Sequence, residues 1–298
     1  MVAVISGPTA SGKSGLALAV AAHTPATLIN ADASQLYADL RLLTARPSAA
    51  EEAAAPHRLY GVLDGADPAT AARYAALARA AIAQSLAGGR LPILVGGTGL
   101  YLEALLQGLA PIPEIDPEIR AEVRALPASQ AHIALTTEDP EAARRLRPTD
   151  TTRLQRALEV VRSTGQPMAH WLARREGGIA RSHDVRGLIL APPRTALHAA
   201  AEARLDAMLA AGALDEVARL AARRLPADLP VMKALGVPPL MAHLRGEISL
   251  TEARAQTLFA TRQYQKRQST WARGRQQTLG WHALETASPH AALAQLAR

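Results

Sequence analysis

The sequence predicts an α/β protein, a parallel sheet flanked by helices, into which an all-helical segment is inserted. Three observations predict it. Short apolar runs alternate with helix-length segments over the first third of the chain. The first run, Val2-Ala3-Val4-Ile5, leads straight into GPTASGKS at residues 7–14. From Pro113 to Val185 no strand-like run occurs, while arginine is frequent.

The elements follow in order. Residues 2–6 read as a buried strand and 12–22 as a helix opening at the loop. Residues 26–30 (ATLIN) read as a second strand, and 69–87 as a helix closed by Gly88-Gly89. Residues 91–95 (LPILV) form another strand, followed by Gly96-Gly97 and a helix over 98–107. Residues 1–113 with 183–298 are thereby one α/β core with C-terminal helices; residues 114–182 are the helical insertion. In the second half, 185–190 (VRGLIL) is a strand and helices dominate from Thr195. Ser249-Leu250-Thr251-Glu252 has the form of a capping box. It opens a long helix to about Arg273, and 278–283 reads as a short final strand.

Composition narrows the class. With 298 residues and 49% apolar content, the chain can bury a real core and is not disordered. The absence of Cys excludes disulfides and Cys-based zinc sites. No apolar run approaches the roughly 18 residues of a membrane span. The N-terminus runs directly into a strand, which leaves no room for a secretory signal, so a cytoplasmic protein without membrane partners is expected. A net charge of +7 and a pI near 10.3 suggest a polyanionic partner.

The chemistry starts at GPTASGKS, which fits G-x-x-x-x-G-K-[ST], a phosphate-binding loop. Gly7, Pro8, Thr9, Ala10, Ser11 and Gly12 form the loop whose backbone N–H groups converge on phosphate, Lys13 supplies charge, and Ser14 is placed to ligate a metal ion. An ATPase, a small-molecule kinase and a transferase that expels diphosphate all remain open. The strand at 91–95 ends in VGGTGLY, without the acid that helps hold magnesium in P-loop ATPases. Gly96-Gly97 would permit close backbone approach to a substrate, with the Thr98 hydroxyl alongside. Asp32, just beyond the second strand, faces the same crevice at the carboxyl ends of the strands, placed to act as a general base.

Basic residues cluster twice. One run holds Arg144, Arg145, Arg147, Arg153, Arg156 and Arg162; the other holds Arg262, Lys266, Arg267, Arg273 and Arg275 with no acid. In the second, helical spacing puts Arg262 and Lys266 on one side, with Tyr264 and Trp271 interleaved. Basic, glutamine and aromatic side chains together suit RNA phosphates and bases. The nine histidines show no metal-ligand spacing.

GPTASGKS, NADASQLY, TARPS, PHRLYGVLD, LPILVGGTGLYLEALLQGL, DTTRLQRALEVVRSTG and ATRQYQKRQSTWARGR stand in the order found in tRNA dimethylallyltransferases, also called tRNA isopentenyltransferases or IPP transferases, and the chain resembles that family. The resemblance covers about residues 1–275. It implies a P-loop NTPase-like core. It also implies transfer of the dimethylallyl group of dimethylallyl diphosphate to N6 of the adenine 3′ of the anticodon, in tRNAs reading codons that begin with U. Diphosphate leaves, and Mg²⁺ is the cofactor. Asp32 would take the proton and Thr98 orient the amine. Residues 7–14 and Arg204 would bind diphosphate, with Ser14 on the metal.

By the same match, tRNA contacts would come from Asp32, Ala33, Ser34, Gln35 and Thr98 on the core. Arg120, Thr152, Arg153, Leu154, Gln155 and Arg156 would supply them from the insertion. Lys233, Gly236, Arg262, Gln263, Lys266, Arg267 and Gln268 would complete the set. Separately from the match, a monomer is expected. The chain departs from the family pattern at Ala33, Val237 and Ala200; Arg194 is a candidate replacement for the arginine missing at 200. The alternative is a P-loop small-molecule kinase using ATP.

Overall fold

The computed structural model describes residues 1–296. In chain order the first elements are β1 (Val2–Ser6), α1 (Lys13–Ala21), β2 (Ala26–Asn30), α2 (Ala49–Ala54), β3 (His57–Arg58), α3 (Ala71–Ala87), β4 (Leu91–Gly96) and α4 (Gly99–Gln107). Five helices follow: α5 (Pro117–Ala125), α6 (Ala128–Glu138), α7 (Pro140–Arg145), α8 (Thr151–Thr164) and α9 (Met168–Leu172). The chain closes with β5 (Val185–Leu190), α10 (Arg194–Ala210), α11 (Ala213–Ala222), α12 (Val237–Leu244), α13 (Leu250–Leu279), β6 (His282–Leu284) and α14 (Pro289–Leu296).

Two compact units result. One joins residues 1–105 to the chain from Ala180 onward; the other is residues 106–179. The second starts earlier than the expected residue 114 and ends before 182. Leu109 and Glu176 exchange backbone hydrogen bonds, each 3.0 Å, and tie the entering and leaving chain together. Its core is a small apolar cluster of Val123, Ala131, Leu135, Ala143, Leu154, Ala157 and Leu158.

The larger unit holds a six-stranded, all-parallel sheet ordered β3-β2-β4-β1-β5-β6. This is a P-loop NTPase-like sheet. Every residue of β1 and β2 is buried, as expected of strands covered by helices on both faces. β1 is central, with Ser6 beside Gly96 of β4 and Ile189 of β5. The loops leaving β1, β2 and β4 therefore emerge at one edge, where open α/β sheets bind ligands.

The end of the chain departs from expectation. The strand expected over 278–283 is helical at its start. α13 continues to Leu279, and Gly280 stops it in the left-handed region (φ 64°) before β6. β3 and α14 carry no sequence signal strong enough to mark them as elements. At the other end of α13, Ser249 and Glu252 form the reciprocal capping box, each backbone N–H bonded to the other's side chain. No helix among the described residues is long and apolar enough to cross a membrane.

Candidate active site

Gly12 adopts φ 88°, which lets the chain turn from the loop into α1 without a Cβ penalty. Ala10 also sits at positive φ (65°), a strained setting for a residue with a Cβ. The half-buried Lys13 folds back, Nζ donating to the Pro8 carbonyl at 2.7 Å. Burial lowers its pKa to about 8, with the Arg204 charge acting in the same direction and Asp32 opposing both. The Ser11 hydroxyl is buried and without a partner. Ser11 lines the loop cavity, so its orphaned hydroxyl is a donor that an anion bound there would complete.

The loop lines a cavity of about 410 Å³ that also takes in Asp32, Gln35, Arg46, Ala200 and Arg204. A second cavity of about 220 Å³ is lined by Leu43, Ala201, Leu205, Met208 and Leu235, with Lys233, Thr261, Tyr264 and Arg267. Thr9, Asp32, Thr44 and Arg204 line both. A chamber lined by the phosphate-binding loop and a chamber of mixed apolar and polar lining thus meet at one carboxylate and one guanidinium. Burial lowers the pKa of Arg204, and the charge of Asp32 acts against that.

Asp32 has two jobs. Its Oδ1 accepts the Ser34 N–H at 3.0 Å, closing a turn, while Asn30 holds its own backbone N–H at 2.8 Å. Oδ2 takes no hydrogen bond among the described residues and remains available. Thr98 lines neither of these two cavities. Its Oγ1 accepts the Ala33 N–H at 3.0 Å and lies 3.3 Å from the Tyr264 hydroxyl. It therefore holds the segment carrying Asp32. At position 33, where the family pattern has a hydroxyl, the contact to Thr98 is made by backbone. Nothing in the sequence marks Tyr264 as a neighbour of Thr98, since 166 residues separate them. Burial, then the charge of Asp32, pushes its pKa up to about 12, so it stays a neutral hydroxyl.

Gly96 lines the loop cavity, as close approach to a substrate requires, but the space a side chain would take at Gly96 and Gly97 is filled by protein. A Cβ at Gly96 would collide with the Ala31 carbonyl, and one at Gly97 with the Gln268 amide. A Cβ at Gly99 would meet the Trp271 ring at 2.6 Å. These glycines make room for protein.

Gln268 is 4% exposed and has both ends of its amide engaged, so it is not a surface contact for tRNA. Arg262, Gln263, Lys266 and Arg267 are exposed on α13, and Arg267 lies over the Tyr264 ring at 5.4 Å. Gly236 opens α12 at φ 89°, and the Val237 behind it is fully buried. Arg194 does not replace the arginine missing at 200. It lines a different cavity, with His198, Arg262, Lys266 and Arg273.

The insertion residues form their own group. Leu154 is fully buried in the core of that unit, which removes it as a tRNA contact. Gln155 donates to the carbonyls of Arg124 and Leu126. Arg153 pairs with Asp150 and Arg156 with Glu159. Arg120 has its Nε buried without a partner, and Thr152 is exposed.

For magnesium, the donor chemistry of the loop cavity decides the fit. No group of three or more His, Cys, Asp or Glu side chains suited to a metal occurs among the described residues. The oxygen donors lining the loop cavity include Ser14 and Asp32. Such a set fits magnesium in the way that ion is commonly held, by few protein oxygens together with substrate phosphates and water.

The IPP transferase family model matches residues 35–275. A tRNA dimethylallyltransferase of Zymomonas mobilis is 53% identical over 272 residues, covering 91% of this chain and 87% of that protein. One from Sphingopyxis alaskensis is 57% identical, with 91% and 89% covered. Among solved structures, a full-length tRNA isopentenylpyrophosphate transferase of Bacillus halodurans superposes with TM-score 0.67 at 30% identity, covering 95% of this chain and 89% of that one. A eukaryotic dimethylallyltransferase acting on tRNA gives TM-score 0.79 at 26% identity, with 91% and 69% covered. Relatives this similar over this much of the chain leave one assignment: it belongs to the IPP transferase family.

Proposed function

We propose that the protein transfers the dimethylallyl group of dimethylallyl diphosphate to N6 of the adenine 3′-adjacent to the anticodon. Its substrates are tRNAs reading codons that start with U, and diphosphate is released. The observation that carries this reading is the meeting of two chambers at Asp32 and Arg204. On this reading the loop chamber takes the diphosphate. Its N–H groups, Lys13, the Ser11 hydroxyl and Arg204 oppose the charge that grows on the leaving oxygen.

The second chamber is where prenyl and adenine meet. Leu43, Leu205, Met208 and Leu235 would flank an allylic carbon that shares positive charge. The carbon–oxygen bond to diphosphate breaks as the N6–carbon bond forms, and the N6 proton passes to Oδ2 of Asp32. The adenine must leave the anticodon stack to reach this position. Mg²⁺, held by Ser14 and the diphosphate oxygens, would supply charge neutralisation to the leaving group. We read the enzyme as a cytoplasmic monomer. The kinase alternative has less support, since it leaves the exposed cations of α13 unexplained.

The test is incubation of wild type and Asp32→Asn with anticodon stem-loop RNA, Mg²⁺ and dimethylallyl diphosphate, followed by mass analysis of the nucleosides. Prenylated adenosine from wild type alone, with RNA binding retained in the variant, is expected. Tight ATP binding with no prenylation by wild type would sink the proposal.

A further inference from the structure

We propose that Gln268, supported by Gln265, is a positioning residue: it fixes the phosphate-binding loop against the loop that leads to the acceptor side. The inference rests on the reading of the site given above. Gln268 Oε1 accepts the Thr9 N–H at 2.7 Å, and its Nε2 donates to the Gly97 carbonyl at 3.1 Å. Gln265 Nε2 donates to the Thr9 carbonyl at 2.9 Å and to the Leu197 carbonyl at 3.2 Å. Gln265 and Gln268 are almost fully buried, at 3% and 4% exposure.

Thr9 therefore has its backbone N–H and its C=O both taken by α13. A residue tied at both ends cannot drift, and the next one is Ala10, held at positive φ. On the other side, the residue after Gly97 is Thr98, whose hydroxyl holds the Asp32 segment through Ala33. One amide side chain thus stands between the loop that would bind the donor and the threonine that sets the general base. Gly97 must lack a Cβ because the Gln268 amide occupies that space. The cations on the same helix, Arg262 and Lys266, are exposed to solvent. RNA contact and loop positioning are thereby divided between two faces of α13.

Reaction geometry is sensitive to small displacements of this kind. Leu in place of Gln268 would fill similar space but leave a buried N–H and a buried carbonyl unpaired. Glu would keep the acceptor for Thr9 yet set an oxygen against the Gly97 carbonyl.

The experiment measures three quantities for wild type, Gln268→Leu, Gln268→Glu and Gln265→Leu. These are affinity for inorganic diphosphate with Mg²⁺, kcat and KM for dimethylallyl diphosphate at saturating RNA, and stem-loop RNA affinity at fixed salt. Gln268→Leu should weaken diphosphate binding by about tenfold to a hundredfold. It should lower kcat and leave RNA affinity within about twofold. Gln268→Glu should recover part of the diphosphate affinity while kcat stays low. Thermal melting of each variant identifies any that fail to fold; if Gln268→Leu does, Gln268→Glu and Gln265→Leu decide.

Unchanged diphosphate affinity in the folded variants would overturn the proposal. So would a defect confined to RNA binding. If wild type binds diphosphate but transfers no prenyl group, the reading of the site fails instead, and the diphosphate arm alone judges the positioning role.

Discussion

Helices α8 and α13 each carry a run of basic side chains, and they dispose of the charge in opposite ways. On α8, Arg162 reaches Glu122 at 2.7 Å and Glu138 at 2.8 Å, Arg156 pairs with Glu159, and Arg153 with Asp150. Glu159 is buried and takes Arg124 from α5 as well. These arginines cross-link the helical unit. On α13, Arg262, Lys266, Arg267 and Arg273 have no ion-pair partner among the described residues; Arg275, near the end, pairs with Glu103. Two runs of similar composition are thus a set of internal ties and a set of uncompensated cations. Half of the acids that distinguish them, Asp150 and Glu159, lie within the α8 run; Glu122 and Glu138 lie elsewhere in the sequence. The uncompensated set is the one free to exchange counterions for RNA phosphates.

The largest expected effect probes the inner face of α13, which shares a cavity with Asp32. Asp32→Asn should lower kcat for prenyl transfer by about 10²- to 10⁴-fold, with RNA affinity little changed, as read by single-turnover assay and filter binding. Next is the outer face. Arg262→Ala with Lys266→Ala should weaken stem-loop binding by about tenfold and reduce the salt slope by about one for each phosphate left without its cation. Arg153→Ala with Arg156→Ala should cost less, since those guanidiniums already spend their charge on Asp150 and Glu159. An equal weakening from both pairs would break the comparison.

A pH effect of similar size is expected at Lys13. Its folded pKa of about 8 lies below its ordinary 10.5. The ligand-free fold therefore binds fewer protons there than the unfolded chain. Its contribution is least favourable below pH 8 and improves as pH rises from 8 to 10.5. Diphosphate favours the ammonium, so its affinity should run the other way, falling up to about tenfold per pH unit above 8. Lys13→Arg should flatten that fall in a calorimetric titration. The smallest effect is structural. Arg162→Ala should destabilise the helical unit by about 1 kcal/mol, given that its partners are partly exposed. Thermal unfolding checks this.

What can be read from the sequence follows the physics of each element. β1 and β2 are short, mostly apolar runs between turn residues and β5 ends in one (Leu188-Ile189-Leu190), and their observed ends coincide with the expected ones. β3 has two residues, too few for any periodicity. The phosphate loop and Asp32 are legible because backbone-driven anion binding requires a fixed local pattern. The fate of the polar residues on α13 is not, because Gln263 and Gln268 look alike until the helix is seated. One signal is present. Ala253, Thr257, Thr261, Gln265, Gln268 and Ala272 recur every three or four residues, and all are buried. That stripe runs through polar residues, so apolar periodicity alone passes over it. Gly96-Gly97 looks like room for a substrate in the sequence because the neighbour that fills the space at Gly97, Gln268, lies 171 residues away.

The most direct test of the account follows a labelled prenyl carbon. Dimethylallyl diphosphate carrying the label at its allylic carbon is mixed with excess enzyme, Mg²⁺ and anticodon stem-loop RNA for a single turnover. The account predicts label on adenine N6 and free diphosphate appearing together, one for one, at equal rates. Label that stays with the phosphates, or phosphate that appears on the RNA, would contradict it.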